Sequence, residues 1–341
     1  MQGRQDRLLR RPCLAGPISI PNQQPELQRF LADELVEQKY NEIKSRSGIL
    51  TIVGKEFYCD KSDIEELSDL GRGAFGAVRK ARCKKTNTLM AVKIIPLTDS
   101  ADSNKRTVMD MDVIMQAHDC PYIVKCYGCF VYESEVRICM EMMTMCLEKL
   151  LIRAHKFPEN IVRQITISAL KALQYLKERM IMHRDVKPSN ILIDLRGTIK
   201  MCDFGISGRL IDSSRAATNT KGCTAYLAPE RVGSSTGNYG IKADVWSLGI
   251  TLLELATGRH PYDGCKNDFE LLTKINNDPP PQLLPSDNYS EEFCSFLSYC
   301  LKKKPDERRD YLFLLFIEVL DYLEYQEEKV LEEEAFTAFS I

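Results

Sequence analysis

Apolar and polar positions follow two different periods along this chain, and the change of period falls near its middle. From Ile64 onward, short apolar runs of strand length recur at Glu66 to Leu70, Gly76 to Cys83, Thr88 to Ile95, Ile123 to Tyr132 and Val136 to Met142. One amphipathic stretch, Asn104 to Gln116, interrupts them with apolar residues three and four apart. After about Cys146 that helical spacing takes over, in Asn160 to Lys177, Ile241 to Thr257 and Glu291 to Leu301. The pattern predicts an α+β protein of two lobes, a small β-rich lobe carrying one helix and a larger α-helical lobe. Residues 1–60 read as an extension, with a Pro/Gly stretch (Pro12, Gly16, Pro17, Pro21) and a helical-looking piece from Pro25 to Lys44. The folded domain is assigned to residues 61–320, with lobes over 61–143 and 147–320, and residues 321–341 form an acidic tail.

Composition narrows this little. A hydrophobic content of 44% and a charged content of 28% are those of an ordinary globular protein, and a net charge of -2 speaks against general binding to nucleic acid or membrane. No apolar run reaches the length of a membrane span, and the start, with Arg4, Arg7, Arg10 and Arg11, lacks the apolar core of a signal peptide. The expected address is the cytoplasm, with the nucleus as a second one. The 13 cysteines are scattered and odd in number, which reads as reduced thiols and not as a disulfide framework. Cys126 and Cys129, with Cys120 and His118 nearby, raise a zinc site, but a second ligand pair at ribbon spacing is missing.

The chemistry enters with Gly71, Gly73 and Gly76, a G-x-G-x-x-G run that lets backbone amides approach phosphate oxygens. Alone, it fits a dinucleotide turn as well as a phosphate lid. The residues after Gly76 are strand-like, not helical, and 17 positions on comes Lys93 in Ala91-Val92-Lys93, the arrangement of a kinase lid and its phosphate-binding lysine. His183-Arg184-Asp185-Val186-Lys187-Pro188-Ser189-Asn190 matches the kinase catalytic loop through both the aspartate and the asparagine. Asp203-Phe204-Gly205 comes 18 residues after Asp185, and Ala228-Pro229-Glu230 comes 25 after Asp203. In that reading Asp185 orients the acceptor hydroxyl, Asn190 and Asp203 hold magnesium, and Lys93 meets the ATP phosphates. Lys187, two after the aspartate, is the serine/threonine-kinase choice that steadies the γ-phosphate, and Arg184 is free to pair with a phosphate on the activation segment.

Between residues 62 and about 308 the chain also resembles the MAP kinase kinases, most clearly in His118 to Val124, Lys200 to Gly208 and Gly222 to Arg231. Arg209 to Ser213, Glu254 to Gly258 and Asp268 to Lys274 look most like the stress-activated members that activate c-Jun N-terminal kinases. The resemblance implies a two-lobed protein kinase fold and an ATP- and Mg2+-dependent dual-specificity kinase. Its nucleotide would lie against Gly71, Arg72, Gly73, Ala74, Phe75, Gly76, Val78, Ala91, Lys93, Met140, Glu141 and Met143. It also implies an ion pair of Lys93 with Asp110, in a helix that offers Asp112 too, and another of Glu230 with Arg308. Cys146 falls where a family member carries a cysteine at the lip of the nucleotide pocket, and Cys146 and Cys202 are the expected reactive thiols. The switch pattern Ser-x-x-x-Thr falls on Ser214 and Thr218, in a stretch that also holds Ser213, Thr220 and Thr224.

Implied partners are a downstream MAP kinase, of c-Jun N-terminal kinase type or alternatively p38 type, and an upstream MAP kinase kinase kinase. Arg10-Arg11, then Ile18-Ser19-Ile20 after six residues, resembles the family's docking motif; the other reading is a solubilising tail. Past Arg308 the chain departs from the family, since Arg309 replaces a proline and Tyr311 to Ile317 lacks the usual His-Pro-Phe. A kinase-fold scaffold with little turnover is the competing class, against which Lys93, Asp185, Asn190 and Asp203 all stand intact. A dinucleotide-dependent oxidoreductase is the remote third.

Overall fold

Strand alternation in Thr88–Pro96 sends Met90 and Val92 to one face of a sheet and Lys93 and Ile95 to the other, with all four buried. Both faces must therefore be covered, and the computed structural model shows by what. It describes residues 34, 37–73, 76–97, 119–203, 224–232 and 240–317, with positions 104, 107, 111, 114, 115 and 117 between. The small lobe is an antiparallel sheet built from Ile64–Gly73 (β3), Gly76–Cys83 (β4), Thr88–Pro96 (β5), Cys126–Val131 (β6) and Glu135–Glu141 (β7), in the order β3-β4-β5-β7-β6. Ile95 joins Met111 and Ile114 in one core. The described positions 104, 107, 111, 114 and 115 are helical, as the spacing predicts.

The opposite face is covered by a hairpin, Ile49–Ile52 (β1) and Lys55–Tyr58 (β2), that the sequence reading leaves in the extension. Leu50, Ile52 and Cys59 pack on Met90, Val92 and Phe130. The hairpin is fastened to β6 by Gly48 N–H to the Cys129 carbonyl at 2.9 Å and by Val131 N–H to Ser47 Oγ at 2.9 Å. Gly128 has φ +145°, and a side chain there would overlap the Ile49 carbonyl. So close an approach needs glycine.

The large lobe comprises Leu147–Ala154 (α1), Glu159–Glu178 (α2), Lys242–Thr257 (α3), Asp268–Asn277 (α4) and Glu291–Cys300 (α5), with a further helical stretch over 311–317. Nearly every residue of α3 from Ala243 to Ala256 is buried, which makes it the central post. It ends at Gly258, whose φ of +75° suits the left-handed cap. A small sheet, Met145–Cys146 (β8), Ile191–Ile193 (β9) and Ile199–Met201 (β10), lies where the lobes meet. The strand expected from Ile123 begins only at Cys126, because Ile123 instead bridges to Met201, and Val124 N–H and Tyr122 C=O bond the Met201 backbone at 2.9 and 2.8 Å. Cys126 and Cys129 are buried in β6, and burial pushes their thiols up to about 12 and about 11. Among the described residues no helix is long and apolar enough to cross a membrane.

Candidate active site

The register of the small-lobe sheet collects the expected nucleotide residues on one face. Val78 stands opposite Lys93, Lys93 opposite Ile138 and Ala91 opposite Met140, so Val78, Ala91, Lys93 and Met140 share the same side. The lid glycines differ in role. Gly71, opposite Val78, has open space where a side chain would stand, so it leaves room for a ligand. Gly76 has φ +143°, and a Cβ would overlap the Ile94 carbonyl, so the β4–β5 pairing itself demands this glycine. Arg72 and Gly73 pair with Ala77 and Gly76, while Ala74 and Phe75 lie outside the described residues. After Glu141 the chain passes through Met142 to Thr144, with Thr144 N–H bonding Ile193 C=O at 3.0 Å, and Cys146 opens α1, half-buried.

Buried Lys93 reaches across to the Asp203 carboxylate and forms an ion pair with it. Asp110, the partner expected for this lysine, lies outside the described residues, as does Asp112. Asp203 itself holds a left-handed backbone, φ 63°. Its position is set by what precedes it: Cys202 N–H bonds Asn190 C=O at 2.9 Å, and Cys202 C=O meets His183 Nε2 at 3.1 Å.

His183 Nδ1 accepts from Asp185 N–H at 3.3 Å, so the ring proton sits on Nε2 and points at Cys202. Burial holds this histidine neutral, below its ordinary pKa, against the pull of Asp244, Asp185 and Asp203. The Asp244 carboxylate, rising from α3, takes His183 N–H at 2.8 Å and Arg184 N–H at 2.9 Å, which fixes the loop where Arg184 adopts φ 66°. On that platform Asp185 Oδ2 receives Lys187 Nζ at 2.8 Å and Asn190 Nδ2 at 2.8 Å. Asn190 Nδ2 also donates to Asp185 C=O at 2.8 Å, so the amide oxygen of Asn190 is left as its acceptor atom. The donor set of Asn190 and Asp203 is all oxygen, which fits magnesium, a hard cation held by few protein ligands together with substrate phosphates. Among the described residues no three His, Cys, Asp or Glu side chains form a metal cage of their own.

The protein kinase domain profile matches residues 64–314. The chain belongs to the protein kinase family. Its relatives place this kinase among the mitogen-activated protein kinase kinases. The dual specificity mitogen-activated protein kinase kinase hemipterous of Drosophila melanogaster is 50% identical over 283 residues, 82% of this chain and 24% of the relative. Dual specificity mitogen-activated protein kinase kinase 7 of Mus musculus is 48% identical over 297 residues, 85% of this chain and 55% of the relative. Dual specificity mitogen-activated protein kinase kinase mek-1 of Caenorhabditis elegans is 45% identical over 286 residues, 83% and 81% of the two lengths. The chain thus spans about a quarter of the fly protein and about half of the mouse one.

Glu230 and Arg308 pair in this kinase as expected, through two contacts of 2.6 Å. Cys146 and Cys202 are both half-buried, and burial first, then Asp203, push the Cys202 thiol well above its ordinary range. Phe204, Gly205, Ser214, Thr218, Arg10, Arg11, Ile18 and Ile20 lie outside the described residues. Sequence reasoning does not find Tyr226 donating to Glu254 Oε2 at 2.6 Å, a bond that supports the end of the activation segment from α3. No local pattern announces a pair 28 residues apart.

Proposed function

We propose that this kinase phosphorylates the Thr and Tyr of a MAP kinase activation loop, with c-Jun N-terminal kinase-type substrates favoured over p38-type ones. The observation that carries the reading is the Asp185–Lys187–Asn190 constellation, with Asp203 following the residue that bonds Asn190 and Lys93 reaching Asp203 from the small lobe. Asp185, flanked by a cation 2.8 Å away, offers a carboxylate that can accept a hydrogen bond from an incoming hydroxyl and hold its oxygen in line. Lys187, paired with Asp185, and Lys93, paired with Asp203, would supply positive charge to the phosphates. Asn190 and Asp203 would hold magnesium, which with ATP supplies the transferable phosphoryl group and offsets its charge. The dual-specificity and MAP kinase classes rest on the names of the relatives. An upstream MAP kinase kinase kinase would act on Ser214 and Thr218, and Arg10, Arg11, Ile18 and Ile20 would hold the substrate.

The test is to incubate the full chain and its Asp185→Asn variant with ATP, magnesium and native MAP kinases of both types, and to map phosphates by mass spectrometry. The reading expects phosphorylation of both Thr and Tyr of the activation loop by the wild type alone. Nucleotide binding without transfer to either class would favour the scaffold reading instead.

A further inference from the structure

Asp203 must present its carboxylate at a fixed place in the cleft, yet it comes after a strand of only three residues, Ile199–Met201, that touches both lobes. Met201 is tied to the segment leading into β6 by two backbone bonds, and Cys202 is tied to Asn190 and His183. One residue before Met201, Lys200 pairs with Leu192 in β9 and extends its side chain to Glu141 at the end of β7. Lys200 Nζ lies 2.5 Å from Glu141 Oε1, and the same oxygen accepts Lys125 N–H at 2.6 Å. Glu141 N–H in turn bonds Lys125 C=O at 2.9 Å. Both side chains are largely buried, 14% exposed for Lys200 and 21% for Glu141.

One carboxylate oxygen therefore gathers three pieces of chain: the connection between the lobes, the entry to β6 and the strand that leads to Asp203. Charge-assisted bonds of this kind, shielded from water, are among the stronger ones available to a surface this small. Without the lysine, the Glu141 charge would keep only the Lys125 amide and would draw toward solvent, carrying the hinge backbone with it. We infer that Lys200 is a positioning residue for nucleotide binding: through Glu141 it holds the hinge, where the adenine edge would lie, in register with Asp203, where magnesium would lie. The two ends of one ligand are then set at a fixed separation before the ligand arrives, which reduces the ordering that binding must impose. This rests on the proposed kinase reading for its ligand, and on the geometry alone for the coupling.

The experiment compares wild type, Lys200→Met and Lys200→Arg in the full chain. Calorimetry reads the affinity for a non-hydrolysable ATP analogue with magnesium, steady-state assays read KM for ATP and kcat, and hydrogen exchange reads the amides of 122–125 and 199–202. Lys200→Met should weaken nucleotide affinity and raise KM about 3- to 10-fold, a range fitting a residue that biases a site without touching the ligand. Exchange should quicken at both segments together, and Lys200→Arg should restore most of each effect. A purely structural role would lower the active fraction, and with it kcat, at unchanged KM and affinity; that result overturns the inference, as does wild-type behaviour of Lys200→Met. If Lys200→Met does not fold, Glu141→Gln, which keeps an acceptor for Lys125 N–H, is read by the same criteria. The binding arm needs no protein substrate, so failure to phosphorylate a MAP kinase leaves it standing. If the wild type binds no nucleotide, the kinase reading fails, and the inference falls with it unless coupled exchange at the two segments persists.

Discussion

Arg308 spends all five of its N–H donors, and two of them grip the carboxylate of Glu230, 78 residues earlier, at 2.6 Å each. The other three go to the carbonyls of Lys302, Lys242 and Lys303 at 2.7, 2.9 and 3.0 Å, while the guanidinium lies 5.3 Å from the Trp246 ring centre. Its side chain is fully buried. Glu230→Ala should therefore leave a buried cation without its counter-charge and cost about 3–5 kcal/mol of unfolding free energy. Arg308→Lys should not rescue the site, because an ammonium cannot reproduce the fork. Denaturant unfolding checks both, and a loss below about 1 kcal/mol for Glu230→Ala would show the pair to be dispensable.

Chemistry and nucleotide binding should separate cleanly between two aspartates. Asp185→Asn should reduce turnover by about 10²- to 10⁴-fold with nucleotide affinity near that of the wild type, since its side chain would meet the acceptor and not the nucleotide. Asp203→Ala should lose magnesium-dependent nucleotide binding as well as rate. Calorimetry beside steady-state kinetics reads the difference, and equal loss of affinity in both variants would contradict this division of roles.

The lid glycines offer a second contrast. Gly71→Ala has open space around it and should leave the melting temperature unchanged while raising KM for ATP. Gly76→Ala forces a side chain against the Ile94 carbonyl at a positive φ, and should destabilise the small lobe by more than about 1 kcal/mol. Thermal unfolding of the two variants is the measurement. Matching losses of stability would mean that the first glycine is structural too.

Acid should weaken the catalytic loop through His183. Its pKa is lowered in the folded protein from an ordinary value of 6.5, so the unfolded chain binds the proton more readily than the native one. The neutral ring's contribution is then fully present above the unfolded pKa and is lost as pH falls below it, with a slope approaching about 1.4 kcal/mol per pH unit from this group. His183→Gln should flatten that part of the stability–pH curve between about pH 7 and pH 5. A wild-type slope in the variant would assign the acid sensitivity to other groups.

Periodicity locates β4, β5, β7, α2, α3 and α5 to within a residue or two, because each buries a face or a whole surface with its own regular spacing. It fails at β1 and β2, where the turn is Val53-Gly54: Val53 takes φ 49° with its side chain in solvent, and a valine there hides the hairpin signal that asparagine or aspartate would give. It overextends β6 because Ile123 is apolar for a different purpose, the bridge to Met201.

By itself the sequence determined the candidates for the chemistry, since the spacing of a lid glycine run, a catalytic-loop aspartate and a following aspartate is recognisable from local neighbours. Tertiary structure alone decided who meets whom. Lys93 and Asp203 are 110 residues apart, Glu230 and Arg308 are 78 apart, His183 and Asp244 are 61 apart, and Glu141 and Lys200 are 59 apart. No local propensity encodes such pairs. They form because charged and polar groups carried inward by the packing of helices and strands must find partners there, and which partner is within reach depends on how those elements stack.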